Sequence, residues 1–228
     1  MKTLHSNPPL VVRKKILVVD DHPMTRYGVT LRINVEPDLV VCGERDSAAE
    51  ALAAVPHDAP ELVLLDLSLA GTNGMEFLKD ARALNPALRV LVFSMYPEAL
   101  YAERVLRAGA RGYIMKSQGA EKLVEAIRKV LQGDIYLSPV MLERIAARFT
   151  ERPKGAGTDL LATLTDRELE VFELIGRGME TRQIAQRLGV SVSTVETHRA
   201  HLKEKLGIAS APQLIRAAVE WGAERRPV

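Results

Sequence analysis

The sequence predicts an α/β unit with a parallel sheet, followed by a small all-α unit of four helices. Short apolar runs of strand type alternate with amphipathic helical stretches through residues 14–133, the pattern of βαβ units. A polar stretch rich in Gly and Pro interrupts the chain at 150–159, and helix start and stop signals crowd residues 164–222 beyond it.

Residues 1–13, with Asn7-Pro8-Pro9, read as a flexible tail. The run Ile16-Leu17-Val18-Val19 then leads into Asp20-Asp21, and a second strand-like run, Val40-Val41, carries Cys42. Leu62 to Leu65 leads into Asp66, Val90 to Phe93 into Ser94, and Tyr113-Ile114-Met115 into Lys116. Because the crevice of an open parallel sheet lies beyond the carboxyl ends of its strands, these polar residues are expected at one rim. The last helix of the unit, Glu121 to Leu131, stops at Gly133. Residues 134–163 read as a linker with one helix, N-capped by Ser138 with Pro139 in its first turn and running to about Phe149. The tether after that helix permits two domain arrangements without specifying either.

Three capping boxes open the rest: Thr165 with Glu168, Ser193 with Glu196, and Ser210 with Gln213. Gly176, Gly178, Gly189, Gly207 and Gly222 supply stops, and Thr181 to Leu188 forms a further short helix. A short helix, a tight turn at Gly189 to Ser191 and a longer helix make a helix-turn-helix. Residues 223–228 read as a tail.

Bulk properties narrow the class. With 228 residues, 47% of them hydrophobic, the chain can bury two modest cores but is long for one. Its 31 basic and 29 acidic residues divide at 133 and 163 into 17 against 16, 4 against 4 and 10 against 9, so no unit is strongly basic. Nucleic-acid binding must then rest on local charge placement. The single Cys42 excludes an internal disulfide and suits a reducing compartment. No apolar stretch approaches a membrane span and residues 1–13 lack a signal-peptide apolar core, so no membrane partner and a cytoplasmic location are expected.

Three carboxylates, a hydroxyl and an ammonium at one rim form the inventory of a phosphoryl-accepting Mg²⁺ site. Two carboxylates about 4 Å apart repel by about 4 kcal/mol at an effective dielectric near 20. Clustering them needs a cation, and Mg²⁺ fits, because it takes carboxylates, waters and a phosphate as hard oxygen ligands.

Residues 14–133 resemble a response-regulator receiver domain through VVDDHP (18–23), LVLLDLSLAGTNGMEF (62–77), VLVFSMY (90–96) and GARGYIMKS (109–117). Residues 164–222 resemble the LuxR-type DNA-binding domain through LTDRELEVFELI and IAQRLGVSVSTVETH, so the whole chain is similar to NarL/FixJ/LuxR-type two-component transcription factors. The resemblance implies a flavodoxin-like five-stranded parallel sheet. It also implies Asp66 as phosphoacceptor, with Asp20, Asp21, Asp66 and the Ser68 backbone carbonyl holding Mg²⁺. Ser94 would hydrogen-bond the phosphoryl group, Tyr113 would be the switch aromatic, and Lys116 would pair with the phosphate. The residue types suit these roles, since phosphoryl transfer to a carboxylate is mostly positioning and charge neutralisation. One departure is Ala70 where the family usually has Pro, which leaves the stiffness of that loop and the lifetime of the phosphate open.

Placing Val195, Leu202 and Leu206 on the core face of the recognition helix puts Thr197, Ala200 and Glu204 opposite, with Glu196 and His201 at the flanks. Base contacts come mainly from the amino-terminal part of such a helix, which favours Thr197 and His201, while Arg199 and Lys203 are placed for phosphates. Ser193, Thr194 and Lys205 complete the candidate DNA contacts, and His198 falls nearer the core. Glu196 and Ala200 stand where relatives often carry basic residues. For Glu196, reaching back to its own helix start is favoured over contacting a cytosine.

The resemblance implies a non-enzymatic regulator whose only chemistry is self-catalysed phosphoryl transfer and autodephosphorylation at Asp66. A sensor histidine kinase phosphorylates it, and it then dimerises on double-stranded promoter DNA, with RNA polymerase as a possible further partner. The helix from Ser210 to Trp221 is a candidate dimer surface. The alternative is a phosphorylation-independent DNA-binding regulator whose receiver is a scaffold, which would not need the intact acidic pocket. An aspartyl-phosphate phosphatase is disfavoured because Ser68, two residues after Asp66, offers no second carboxylate as general acid. A ligand-sensing LuxR regulator conflicts with the pattern of the first half.

Overall fold

The computed structural model describes residues 12–69, 74–150 and 160–223. Most of the amino-terminal tail, Ala70, most of the 150–159 tether and the last five residues lie outside the described residues.

Five strands, β1 (Lys14–Val19), β2 (Leu39–Arg45), β3 (Leu62–Leu65), β4 (Arg89–Ser94) and β5 (Gly112–Met115), form one parallel sheet in the order β2-β1-β3-β4-β5. This is the doubly wound order that the resemblance implied, with its switch point between β1 and β3. Strand alternation sends Ile16, Val18, Leu62 and Leu64 to one face, against α1 (Pro23–Asn34) and α5 (Ala120–Gln132). Leu17, Val19, Val63 and Leu65 go to the other, against α2 (Ala48–Asp58), α3 (Gly74–Leu84) and α4 (Glu98–Ala108). Both faces are covered, which is why these strands read as continuous apolar runs rather than alternating ones. In β2, Cys42 is the residue skipped between the pairs Ile16–Val41 and Leu17–Gly43, so it forms a bulge.

The chain does not leave the sheet at Gly133. Tyr136 bridges to Gly112 in parallel register; the Tyr113 N–H donates to the Tyr136 carbonyl at 2.8 Å, and the Tyr136 N–H donates to the Arg111 carbonyl at 3.1 Å. The start of the predicted linker thus covers the β5 edge, which would otherwise be open to pairing. Gly112 is required at the crossing, because a Cβ there would lie 2.8 Å from the Tyr136 carbonyl oxygen. Helix α6 (Pro139–Thr150) follows with its predicted cap, the Ser138 hydroxyl accepting the Met141 N–H at 3.2 Å, and packs on α4.

The carboxy-terminal unit holds α7 (Asp166–Gly176), α8 (Thr181–Leu188), α9 (Val192–Leu206) and α10 (Ala211–Ala223). Thr165 with Glu168 and Ser210 with Gln213 form the capping boxes read from the sequence. The third is corrected: α9 is capped by Ser191, whose hydroxyl accepts the Thr194 N–H at 3.0 Å, and Ser193 lies one residue inside the helix. Glu196 does not reach back to its helix start. It accepts from the Thr181 hydroxyl of α8 at 3.0 Å and pins the two helices of the helix-turn-helix together. The pattern rule failed here because the residue three after the true cap is Thr rather than Glu or Gln. A box that it missed, Glu180 with Gln183, opens α8 from an acidic cap.

Candidate metal centre and nucleic-acid interface

The sheet brings the predicted rim residues together. Asp20 and Asp66 follow adjacent strands, tied by the Asp66 N–H donating to the Val19 carbonyl at 2.8 Å, and each side chain is only a few per cent exposed. The Lys116 ammonium, arriving from the end of β5, lies 2.6 Å from Asp20 Oδ2 and 2.7 Å from Asp66 Oδ2. Asp66 Oδ1 accepts the Ser68 N–H at 3.1 Å, and Asp20 Oδ1 accepts the His22 N–H at 2.9 Å. The Arg26 guanidinium donates to the Asp20 backbone carbonyl, steadying the turn after β1. Neither His22 nor Arg26 was picked out by the sequence reading.

Burial pushes the Asp66 carboxyl up, with the Lys116 ammonium opposing the shift. Burial alone would lower the Lys116 amine, yet Asp66 and Asp20 together hold it above its ordinary value, so it is charged. One ligand atom from each of Asp20, Asp21, His22 and Asp66 falls within 4.8 Å of the others. Three carboxylates facing one ammonium leave net negative charge at the rim, and hard oxygen donors of this kind suit a divalent cation such as Mg²⁺.

Beside the carboxylates, Ser94 closes β4, fully buried, and its Oγ accepts the Tyr96 N–H at 3.3 Å. The Tyr113 hydroxyl donates to the Tyr96 carbonyl at 2.7 Å, which holds that ring inward. Ser94 and Tyr113 are thereby both tied to the backbone of Tyr96, so a pull on the Ser94 hydroxyl is felt at the same loop that anchors the Tyr113 ring.

On the recognition helix α9, Val195 and Leu202 are fully buried and Leu206 partly so, as the helical phase required. Ser193, Thr194, Thr197 and His201 are exposed along one side of the helix, and Lys203, on the opposite flank, is partly exposed. Arg199 is different: its side chain is 13% exposed, so most of it is spent on packing. Lys205 is exposed but engaged, its ammonium 2.6 Å from the buried Glu168 carboxylate. His198 is partly buried, and that burial lowers its imidazole.

The family model described as the response regulator receiver domain matches residues 16–128, and that of the bacterial regulatory proteins of the luxR family matches 162–218. The chain is 37% identical over 210 residues to the transcriptional activator protein ExaE of Pseudomonas putida, spanning 92% of this chain and 98% of that one. It is 34% identical over 210 residues to the oxygen regulatory protein NreC of Staphylococcus carnosus strain TM300, spanning 90% and 97%. This chain is a LuxR-family two-component response regulator. Its fold is also that of RcsB from Salmonella enterica serovar Typhimurium, solved on promoter rprA with the phosphomimetic BeF3⁻. That likeness has a TM-score of 0.64 at 23% identity, over 90% of this chain and 97% of that one. No helix among the described residues is long and apolar enough to cross a membrane.

The two domains of this regulator are docked on one another, which the sequence had left open. Arg104 on α4 of the receiver lies 2.9 Å from Asp166 at the start of α7 and donates to the Leu161 carbonyl at 3.0 Å. Arg177, just after α7, stacks over the Tyr96 ring with its guanidinium 5.1 Å from the centroid. From α8, Arg187 reaches to 3.5 Å of the Ser68 carbonyl oxygen, at the rim of the acidic pocket. Glu170 and Glu173 on α7 are each 4% exposed. A cavity of ≈ 360 Å³ remains in the seam, between Met95, Pro97 and Met115 of the receiver and Arg177 and Trp221 of the other domain.

Proposed function

We propose that Asp66 accepts a phosphoryl group from a sensor histidine kinase with Mg²⁺ held by Asp20, Asp21, Asp66 and the Ser68 carbonyl, and that this releases the carboxy-terminal domain to bind promoter DNA as a dimer. The observation that carries the reading is that one rim holds both the Asp20–Asp66–Lys116 cluster and the DNA-binding domain docked beside it. Mg²⁺, when bound, supplies positive charge to the transferring group. The chain's own residues do the rest: Asp66 offers the nucleophilic carboxylate, Lys116 steadies the added charge, and Ser94 donates its hydroxyl to a phosphoryl oxygen. That donation draws Ser94 away from the Tyr96 N–H and disturbs the loop on which both Tyr113 and Arg177 rest. The regulator turns over no other substrate.

On DNA, Thr197 and His201 are the base-edge candidates, Ser193 and Thr194 share their side of the helix, and Lys203 stands on the opposite flank for a phosphate. Arg199 and Lys205 reach phosphates only if they leave the packing and the ion pair described above. Ile215 and Val219, exposed one turn apart on α10, offer an apolar stripe for the dimer. ExaE is named a transcriptional activator and RcsB is solved on a promoter, which supports a promoter target here. Contact with RNA polymerase belongs to the same reading.

The test uses a pool of random-sequence duplex DNA, titrated with the full chain with and without acetyl phosphate and Mg²⁺. Phosphoryl-dependent tightening by roughly tenfold or more is expected, within the usual span of coupling energies. An Asp66→Asn variant that tightened equally would overturn the reading and favour a receiver that is only a scaffold.

A further inference from the structure

Glu173 occupies the middle of the domain seam. It sits on the face of α7 turned to the receiver, 4% exposed, and neither carboxylate oxygen has a hydrogen-bond partner among the described residues. The Tyr101 hydroxyl faces it across the seam, outside full hydrogen-bond geometry but near enough to favour the ionised form, and Tyr101 stacks on Tyr96 at 4.9 Å between ring centroids. Tyr113 is the third receiver group that feels its charge. On its own helix, Glu170 lies one turn back and Arg177 one turn on. Burial pushes the Glu170 carboxyl up, with Arg167 at 2.8 Å and the nearby Arg187 opposing. Arg177 is committed to the Tyr96 ring and forms no ion pair with Glu173 among the described residues. The groups of α10 that line the shared cavity, Ala218, Trp221 and Gly222, carry no charge.

An ionised carboxylate left in such a place is strongly unfavourable, because burial outweighs the two groups that favour it, the Arg177 guanidinium held over the Tyr96 ring and the Tyr101 hydroxyl, whereas the neutral acid is tolerated. Separating the domains returns Glu173 to water and removes the conflict. We propose that docking of the DNA-binding domain on the receiver takes up one proton at Glu173, so that the closed form loosens as pH rises and the latch responds to pH independently of phosphorylation.

The sign follows from linkage. Burial pushes the Glu173 carboxyl up to about 8 in the closed form, with Arg177 opposing, while its ordinary value is 4.5. A group whose value is raised on closing stabilises the closed form fully below its open-state value and loses that contribution as pH rises to the closed-state value. Between these limits the closure constant falls roughly tenfold per pH unit, or roughly 50-fold from pH 6 to pH 8.

The inference rests on the proposed release of the DNA-binding domain only for its effect on DNA; closure itself is what the experiment reads. The full chain, free of Mg²⁺ and phosphoryl donors, is followed from pH 6 to 8 by small-angle X-ray scattering and by fluorescence of its single tryptophan, Trp221, which lines the seam. Wild type should shift from the compact to the extended form across this range. Glu173→Gln, which keeps the shape but has no proton to lose, should stay compact throughout. A wild-type chain that does not respond to pH overturns the proposal whatever the variant does, and so does a Glu173→Gln variant that opens in parallel with wild type. At pH 7 the infrared band of protonated carboxyl should be stronger in compact wild type than in Glu173→Gln, since burial also pushes up Asp66 and Glu170; equal bands in the two would also overturn the proposal. None of these outcomes bears on whether Asp66 is phosphorylated.

Discussion

Replacing Lys116 by Ala is expected to destabilise the receiver by about 3 kcal/mol in metal-free buffer, because removing one partner of a buried ion cluster leaves the others uncompensated. The ammonium is the cation in hydrogen-bond contact with both Asp20 and Asp66, and its side chain is only 9% exposed, so solvent screens little of the loss. A divalent cation in the acidic pocket would replace part of the missing charge. Mg²⁺ at about 100 times its dissociation constant adds about 2.7 kcal/mol to a folded state that alone binds it. Urea denaturation of Lys116→Ala in chelator and in Mg²⁺ should therefore show a large deficit that narrows with the metal. Equal stability of variant and wild type in chelator would mean that the cluster is not held by Lys116.

The second large effect is expected at Gly176, the last residue of α7. A Cβ there would lie 2.5 Å from the Ala218 carbonyl oxygen of α10, a backbone atom that cannot yield without moving the helix. Gly176→Val should cost about 3 kcal/mol, at the upper end of overpacking penalties, with little helix-propensity gain in return from a β-branched residue. The loss should appear in the unfolding transition of the DNA-binding domain. Phosphoryl uptake at Asp66 should persist, since the core on the α1 and α5 face of the sheet is made of receiver residues alone, although the core on the other face runs on into the DNA-binding domain. Loss of both functions together would show that the two domains fold as one unit.

The rim of the sheet was legible from the sequence because each candidate residue directly follows a short apolar run, and parallel strands put such positions on one side by geometry alone. Asp20, Asp66, Ser94 and Lys116 needed no knowledge of packing to be gathered there. The helix-turn-helix was legible for a similar reason, since caps and glycine stops are local signals. The error at α9 was also local: Ser193 with Glu196 satisfied the pattern, but Ser191 was the better cap once Gly189 had fixed the turn.

The domain seam was not legible. Glu170 and Glu173 stand on the side of α7 that an amphipathic reading assigns to solvent, yet each is 4% exposed in the docked chain. Arg104, Arg177 and Arg187 likewise read as ordinary surface cations until their partners arrive from the other domain. The pairing of Tyr136 with β5 was hidden because a single bridge after a helix stop leaves no periodic trace. Arg199 was placed from helical phase alone, which gives direction but not depth of packing, and Lys205 was named without the carboxylate that waits on a neighbouring helix.

The central claim is that Asp66 is a working phosphoacceptor, and intact mass after incubation with acetyl phosphate and Mg²⁺ tests it most directly. Wild type should gain the mass of one phosphoryl group and Asp66→Asn none. No gain in folded wild-type protein, or an equal gain in both chains, would contradict the account.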